Sequence, residues 1–183
     1  MLHFQVDDQS QTHHLLEAGL VNACLTTESK AMKGCIAEYL GSMHYRFVAT
    51  PEFTQCWFSQ GVTRDALRLA PALIFNEKDH MHIDYIQQKF GLNPNQYPHF
   101  LLPSSSAFLD AAVMGLGYSW LPDFQAQHYL KSGELVEVSS ALSIDLPVYW
   151  HHWKQQSLAL AKLTQTLLQQ APSYMNQQLN TSF

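Results

Sequence analysis

An α/β fold of two lobes is what this sequence predicts, and three observations carry the prediction. Strand-like apolar runs alternate with amphipathic helical runs along almost the whole chain. The chain opens with strand, helix and strand in fewer than thirty residues, a βαβ pattern that implies a parallel sheet. The hydroxyl pair Thr26-Thr27 and the late strand "DLPVYW" bracket a middle segment with its own strands and helices. One lobe is then built from both ends of the chain, 1–27 plus 146–183, and the other from 28–145, joined by a double crossover. Clefts at such lobe boundaries are where small ligands bind.

The elements follow in order. "LHFQVDD" alternates and reads as a strand ending in two acids. "SQTHHLLEAG" reads as a helix with Ser10 at its start and Gly19 as its stop. "LVNACLTT" is a second apolar strand. "CIAEYLG" and "HYRFVAT" read as two strands joined by "GSM", as in a hairpin. Pro51 opens a short helix at a favoured first-turn position, and Thr63 caps another. "PALIF" is a buried strand, followed by an amphipathic helix from Asp79 to Gly91. "HFLL" then leads through Ser104-Ser105-Ser106 into the helix "SSSAFLDAAVMG". "GYSWLP", a helix closed by Gly133, "ELVEV", "DLPVYWHHW" and a terminal amphipathic helix complete the pattern. The tail from Pro172 is polar and expected to fray.

Composition excludes several functions. With 183 residues and 46% hydrophobic content, the chain buries a sizeable core. Its formal net charge of -5, with no basic stripe, makes it a poor ligand for nucleic-acid phosphates. Three scattered cysteines form no CxxC and no disulfide framework, which fits a reducing compartment. There is no signal-peptide pattern and no apolar run long enough for a membrane span. The expectation is a soluble, cytoplasmic protein. No GxSxG, GxxxxGK[ST] or HExxH occurs, and Cys24 in its apolar strand reads as a small buried hydrophobe rather than a nucleophile. No enzyme activity and no cofactor is expected.

Seven stretches together resemble a known family: "GLVNACLTTE", "LGSMHYRFVATPEF", "FSQGVTRDAL", "APALIFNEKD", "SSSAF", "GLGYSWLPDFQAQHYLKSGELVEV" and "LPVYWHHW". They occur in order and resemble the effector-binding domain of LysR-type transcriptional regulators, ArgP/LysG subfamily. The resemblance implies a periplasmic-binding-protein-like fold and a basic amino acid effector, lysine or arginine. It also implies control of amino-acid transport or metabolism genes, and homo-oligomers that reach DNA only through a winged helix-turn-helix. That element is not in this chain, whose first residues correspond to the second strand of the domain. A first lobe lacking its first strand–helix unit exposes edges and an apolar face, which another chain is expected to cover unless the lobe repacks. A solute-binding protein of the same fold is the alternative; the lack of a signal peptide argues against it.

The candidate site residues combine these two lines. Ser104 and Ser105 offer hydroxyls and free backbone N–H groups at a helix N-terminus, suited to an amino acid's α-carboxylate. A single cap would explain one serine and leave two. Ser106 departs from the resemblance, where a glutamate is usual. A cationic effector needs a carboxylate, and Asp7, Asp8 and Asp79 lie at strand ends; Asp8 and Asp79 match the resemblance. A helix cap competes as the role of Asp79, and a solvated turn as that of Asp7 and Asp8. Thr26, Thr27 and Thr50 sit where the chain is expected to cross between lobes, and ordinary strand residues are the competing reading. The ten histidines form no metal-ligand spacing, so surface or hydrogen-bonded roles are expected, with no metal. Tyr149, Trp150 and Trp153 are read as packing residues.

Overall fold

The structure is a computed structural model that describes residues 2–6 and 12–175. Its elements in chain order are α1 (Thr12–Glu17), β1 (Ala23–Thr26), β2 (Cys35–Ala49), α2 (Pro51–Trp57), α3 (Arg64–Leu67) and β3 (Ala72–Ile74). They continue with α4 (His80–Phe90), β4 (His99–Leu101), α5 (Ser105–Val113), β5 (Ser119–Pro122), α6 (Asp123–Ser132), β6 (Val136–Glu137), β7 (Ile144–Trp153) and α7 (Leu158–Met175). The chain divides into two compact units, Met1–Met43 with Asp145–Phe183, and His44–Ile144. The first crossing therefore falls inside β2. Residues 28–43, expected with the middle segment, group with the two chain ends.

In the first unit β7 lies between β1 and β2. It runs antiparallel to β1 in the register Ala23↔His152 to Thr26↔Tyr149. The Lys154 N–H donates to the Gly34 carbonyl at 3.0 Å and ties the end of β7 to the start of β2. Alternation along β7 divides its side chains between two faces. Val148 and Trp150 pack with Leu40 and Ala171, against Leu163 and Leu167 of α7. Trp153 packs on the other face with Leu16 of α1, Cys24 and Cys35. Both cysteines are buried and free. Burial, helped by the nearby Cys35, pushes the Cys24 thiol up to about 11, which keeps it an unreactive hydrophobe.

Four expectations change here. Residues 2–6 form no strand, and Leu2, Phe4 and Val6 are exposed. Asp7, Asp8 and Ser10 lie outside the described residues. The parallel βαβ opening is replaced by antiparallel pairing of β1 with β7, because the apolar strand that fits beside β1 comes from the far end of the chain. The "GSM" hairpin is absent: β2 runs through it as one strand of 15 residues. Gly41, at φ 137, lets the strand bend without turning back. Finally, α7 continues through Pro172 to Met175, held by the buried Ala171 and by Met175 against the same cluster.

In the second unit β2 pairs with β5 and β6, and β3 and β4 form a two-stranded sheet that meets the residue before β5, Tyr118, through a bridge. The pair β3–β4 is parallel, Ala72↔His99 to Ile74↔Leu101. The Leu73 N–H donates to the Tyr118 carbonyl at 2.9 Å, and Ala72 bridges Tyr118 in parallel. β2 is antiparallel to both β5 and β6. Gly117 permits the junction of β3 and β5, since a Cβ there would lie 2.8 Å from the Pro71 carbonyl oxygen. One face of this sheet packs Phe47 and Trp120 on Phe53, Phe58, Leu67 and Ile86 from α2 to α4. The other packs Val48, Leu73 and Leu121 on Phe108, Ala112 and Ala126 from α5 and α6.

His82 of α4 sits in the first of these cores and corrects the expectation of a surface or hydrogen-bonded histidine. It is 1% exposed. Its ring stacks on Tyr97 and Tyr118 at 6.1 and 5.9 Å and meets Trp120 edge-on at 5.0 Å. Its Nε2 makes no hydrogen bond among the described residues. Burial, with His99 nearby, lowers its pKa from 6.5 to about 3. The folded state therefore refuses a proton that the unfolded state accepts. The stability from a neutral His82 is complete above pH 6.5 and is lost as pH falls toward about 3. In that window the loss is about 1.4 kcal/mol per pH unit. Urea unfolding at a series of pH values is expected to show that acid slope in the native chain and a shallower one in His82→Phe.

Candidate functional site

Parallel strands deliver their following loops to one edge of a sheet, and β3 and β4 do so here. The Ile74 carbonyl accepts from the Leu102 N–H at 2.9 Å, which places the ends of the two strands side by side. One loop leads to Asp79 and α4, the other to Ser104 and α5. The rings of Phe75 and Phe108, centroids 6.3 Å apart, pack the two together.

Asp79 caps α4. One carboxylate oxygen accepts the His82 N–H at 3.2 Å, and the other accepts the Phe75 N–H at 3.2 Å. The carboxylate thus clips the end of β3 to the first turn of α4. Of the two roles weighed for it, the geometry displays the helix cap.

Ser104 behaves differently. The hydroxyls of Thr50 and Thr63 each cap a helix through a backbone N–H at 3.2 Å. Ser104 stands at the same position before α5 and its side chain makes no capping bond. Its Oγ lies 3.2 Å from Ser106 Oγ, and Ser104, Ser105 and Ser106 are all exposed. The first bond of the helix runs from the Phe108 N–H to the Ser104 carbonyl at 2.8 Å. The N–H groups of Ser105, Ser106 and Ala107 precede it, at the positive end of the helix dipole. The corner therefore combines three hydroxyls with a helix N-terminus, an arrangement suited to a carboxylate.

Thr50 does not join this corner. It is buried, caps α2 and lies against Gly115, where an added Cβ would come 3.2 Å from its Oγ1. Gly115 follows the C-terminal end of α5, so the nine residues of that helix, about 13 Å, separate Thr50 from Ser104. In the first unit Thr26 is buried at the end of β1, and its Oγ1 accepts the Glu28 N–H at 3.3 Å. Thr27 beside it is partly exposed.

Arg46 was not singled out by pattern, although a charge inside the apolar run "HYRFVAT" is a signal for it. From β2 it bonds Asp123 at the start of α6, and its guanidinium meets Glu137 of β6 at 2.8 Å. Ser143 Oγ also donates to Glu137 at 3.0 Å. Burial of all three charges is incomplete, and the network joins three elements of the second unit.

Comparison with known proteins fits this geometry. The pattern of the LysR substrate binding domain matches residues 2–172. The chain belongs to the LysR substrate-binding domain family. The HTH-type transcriptional regulator ArgP of Photobacterium profundum is 38% identical over 170 residues, which is 93% of this chain and 57% of that protein. The C-terminal domains of a LysR family protein from Agrobacterium tumefaciens superpose with a TM-score of 0.83 at 34% identity, covering 92% of this chain and 81% of that one. Full-length LysG from Corynebacterium glutamicum, solved with bound effector Arg, superposes with a TM-score of 0.82 at 29% identity, covering 92% and 57%. The chain spans little more than half the length of the ArgP relative that it matches.

As a LysR substrate-binding domain it has a periplasmic-binding-protein-like fold and is a ligand-binding regulatory domain, not an enzyme. Among the described residues, no helix is long and apolar enough to cross a membrane. None of their His, Cys, Asp and Glu side chains group to hold a metal ion. In this LysR domain Asp79→Ala is expected to cost about 1–3 kcal/mol, from the lost cap and the bond to Phe75. Thermal unfolding of the variant checks it, with Asp79→Asn intermediate because its single carbonyl oxygen replaces one of two acceptors.

Proposed function

We propose that this domain senses a basic amino acid, arginine or lysine, and that Ser104 and Ser105 receive the effector's α-carboxylate. One observation carries the reading: the hydroxyl before α5 is left uncapped and exposed, whereas Thr50, Thr63 and Asp79 are used as caps. A carboxylate placed there meets hydroxyl donors and helix N–H groups together, and charge-assisted bonds of this kind are about twice as strong as neutral ones. The arginine bound to LysG supports the choice of a basic amino acid. Thr27, the partly exposed one of the two neighbouring threonines, supplies a further contact to the effector's polar groups, while Thr26 Oγ1 accepts the Glu28 N–H. The cationic end needs a carboxylate, and Asp8 takes that role in this reading, both oxygens of Asp79 being engaged by backbone.

In the whole protein, effector binding shifts the population of regulatory states of a homo-oligomer. The readout is transcription of amino-acid transport or metabolism genes, through a DNA-binding part outside this span. Calorimetry with arginine, lysine and a neutral amino acid tests the effector. Saturable binding of a basic amino acid, weakened by about 1–3 kcal/mol in Ser105→Ala, is expected. Equal affinity for the neutral amino acid removes the basic effector, and unchanged affinity in Ser105→Ala removes that serine.

A further inference from the structure

The turn after β1 is built in an unusual way for a segment proposed to touch a ligand. Its own sequence, "TTES", has no glycine, proline or asparagine, and a local tie comes from the Glu28 N–H bond to Thr26 Oγ1. It is held as well from β7, 123 residues away in sequence. His151 Nε2 lies 2.7 Å from the Glu28 carbonyl oxygen. A carbonyl only accepts, so Nε2 carries the proton and donates. The His151 ring is completely buried, while its neighbour His152 points to the opposite face of β7 and contacts Gln156. Burial lowers the His151 pKa below the usual histidine value, which keeps the ring neutral with its one proton on Nε2.

The anchored residue in turn fixes Thr26. The Glu28 N–H donates to Thr26 Oγ1, so one peptide unit on either side of Glu28 is pinned, by His151 on the carbonyl and by Thr26 on the amide. Thr26 is 2% exposed, and its hydroxyl is part of the clamp. Thr27, between Thr26 and the pinned Glu28, is the partly exposed hydroxyl of the turn.

We propose that His151 is a positioning residue for effector binding: its Nε2–H bond to the Glu28 carbonyl sets the 26–28 turn, so that Thr27 presents its hydroxyl to the effector while Thr26 serves the turn. This rests on the reading that the turn contacts a basic amino acid. The two threonines, alike in sequence, thereby have different jobs. Thr27→Val removes a ligand contact and leaves the fold intact. Thr26→Val loosens the turn.

The test separates the bond from the bulk of the side chain. The amide nitrogen of His151→Gln reaches the place of the imidazole Nε2. That of His151→Asn, nearer the backbone, reaches only the place of Nδ1. Affinity for arginine and for lysine is measured by calorimetry on the native chain and both variants, well below each thermal midpoint. Hydrogen exchange of the Glu28 amide is followed in parallel. The expected result is arginine or lysine affinity near native in His151→Gln, a loss of about tenfold or more in His151→Asn, and faster Glu28 exchange in His151→Asn only. A loss of similar size in Thr27→Val, with an unchanged thermal midpoint, is also expected. Equal affinities in the two His151 variants overturn the positioning role while leaving the effector reading in place. Absence of basic amino acid binding by the native chain overturns the effector reading, and this role with it.

Discussion

The antiparallel pairing of β7 with β1 is the contact on which the first unit depends. It joins residues 23–26 to residues 149–152, more than a hundred positions apart, and closes the unit from both ends of the chain. Closing so long a loop costs chain entropy that local contacts cannot repay. It is offset by what the pairing buries: Val148 and Trp150 toward α7, and Cys24 and Trp153 toward α1. Two buried side chains on β7 are bonded to residues off the strand. Trp150 Nε1 donates to Thr164 Oγ1 at 2.9 Å and staples α7 to the strand. His151 reaches Glu28 on the opposite face.

The second unit solves a different problem. Its parallel strands bring their following loops to one edge, and each loop must end its strand and start a helix within a few residues. Asp79 does both with one carboxylate, and its two bonds leave that turn with little freedom. The Ser104 hydroxyl makes no capping bond to the helix it precedes, so the α5 terminus keeps donors that α2, α3 and α4 have engaged with side-chain caps. The contrast between a closed corner and an open one supports the proposed carboxylate site more than the presence of serine does. The same unit shelters the His82 ring, whose Nε2 makes no hydrogen bond among the described residues, in a ring of aromatic side chains.

Much of this was legible in the chain itself. The helix caps at Thr63 and Asp79, the stops at Gly91 and Gly133, and strands β3 to β5 lie where local pattern puts them. Caps and amphipathic faces are decided by residues within a turn or two of each other, so sequence exposes them. The serine corner is legible for the same reason. The strand at residues 2–6 and the "GSM" hairpin were misread because strand pairing is not a local property. A run of alternating residues states that it can pair and leaves its partner unstated.

What the sequence determined, then, was the inventory: an α/β chain, its caps, its acidic balance, and hydroxyls at strand ends in a pattern that resembles LysR effector domains. Only the tertiary structure decided which of those hydroxyls are free. Thr26, Thr50 and Ser104 look equivalent as letters. Thr26 is engaged by the Glu28 amide and Thr50 by α2, while Ser104 makes no capping bond and meets the Ser106 hydroxyl at the exposed start of α5. The physical reason is that a hydroxyl's availability depends on the donors that folding brings within about 3 Å of it. For Thr26 the geometry of those donors is set by a histidine from the other end of the chain.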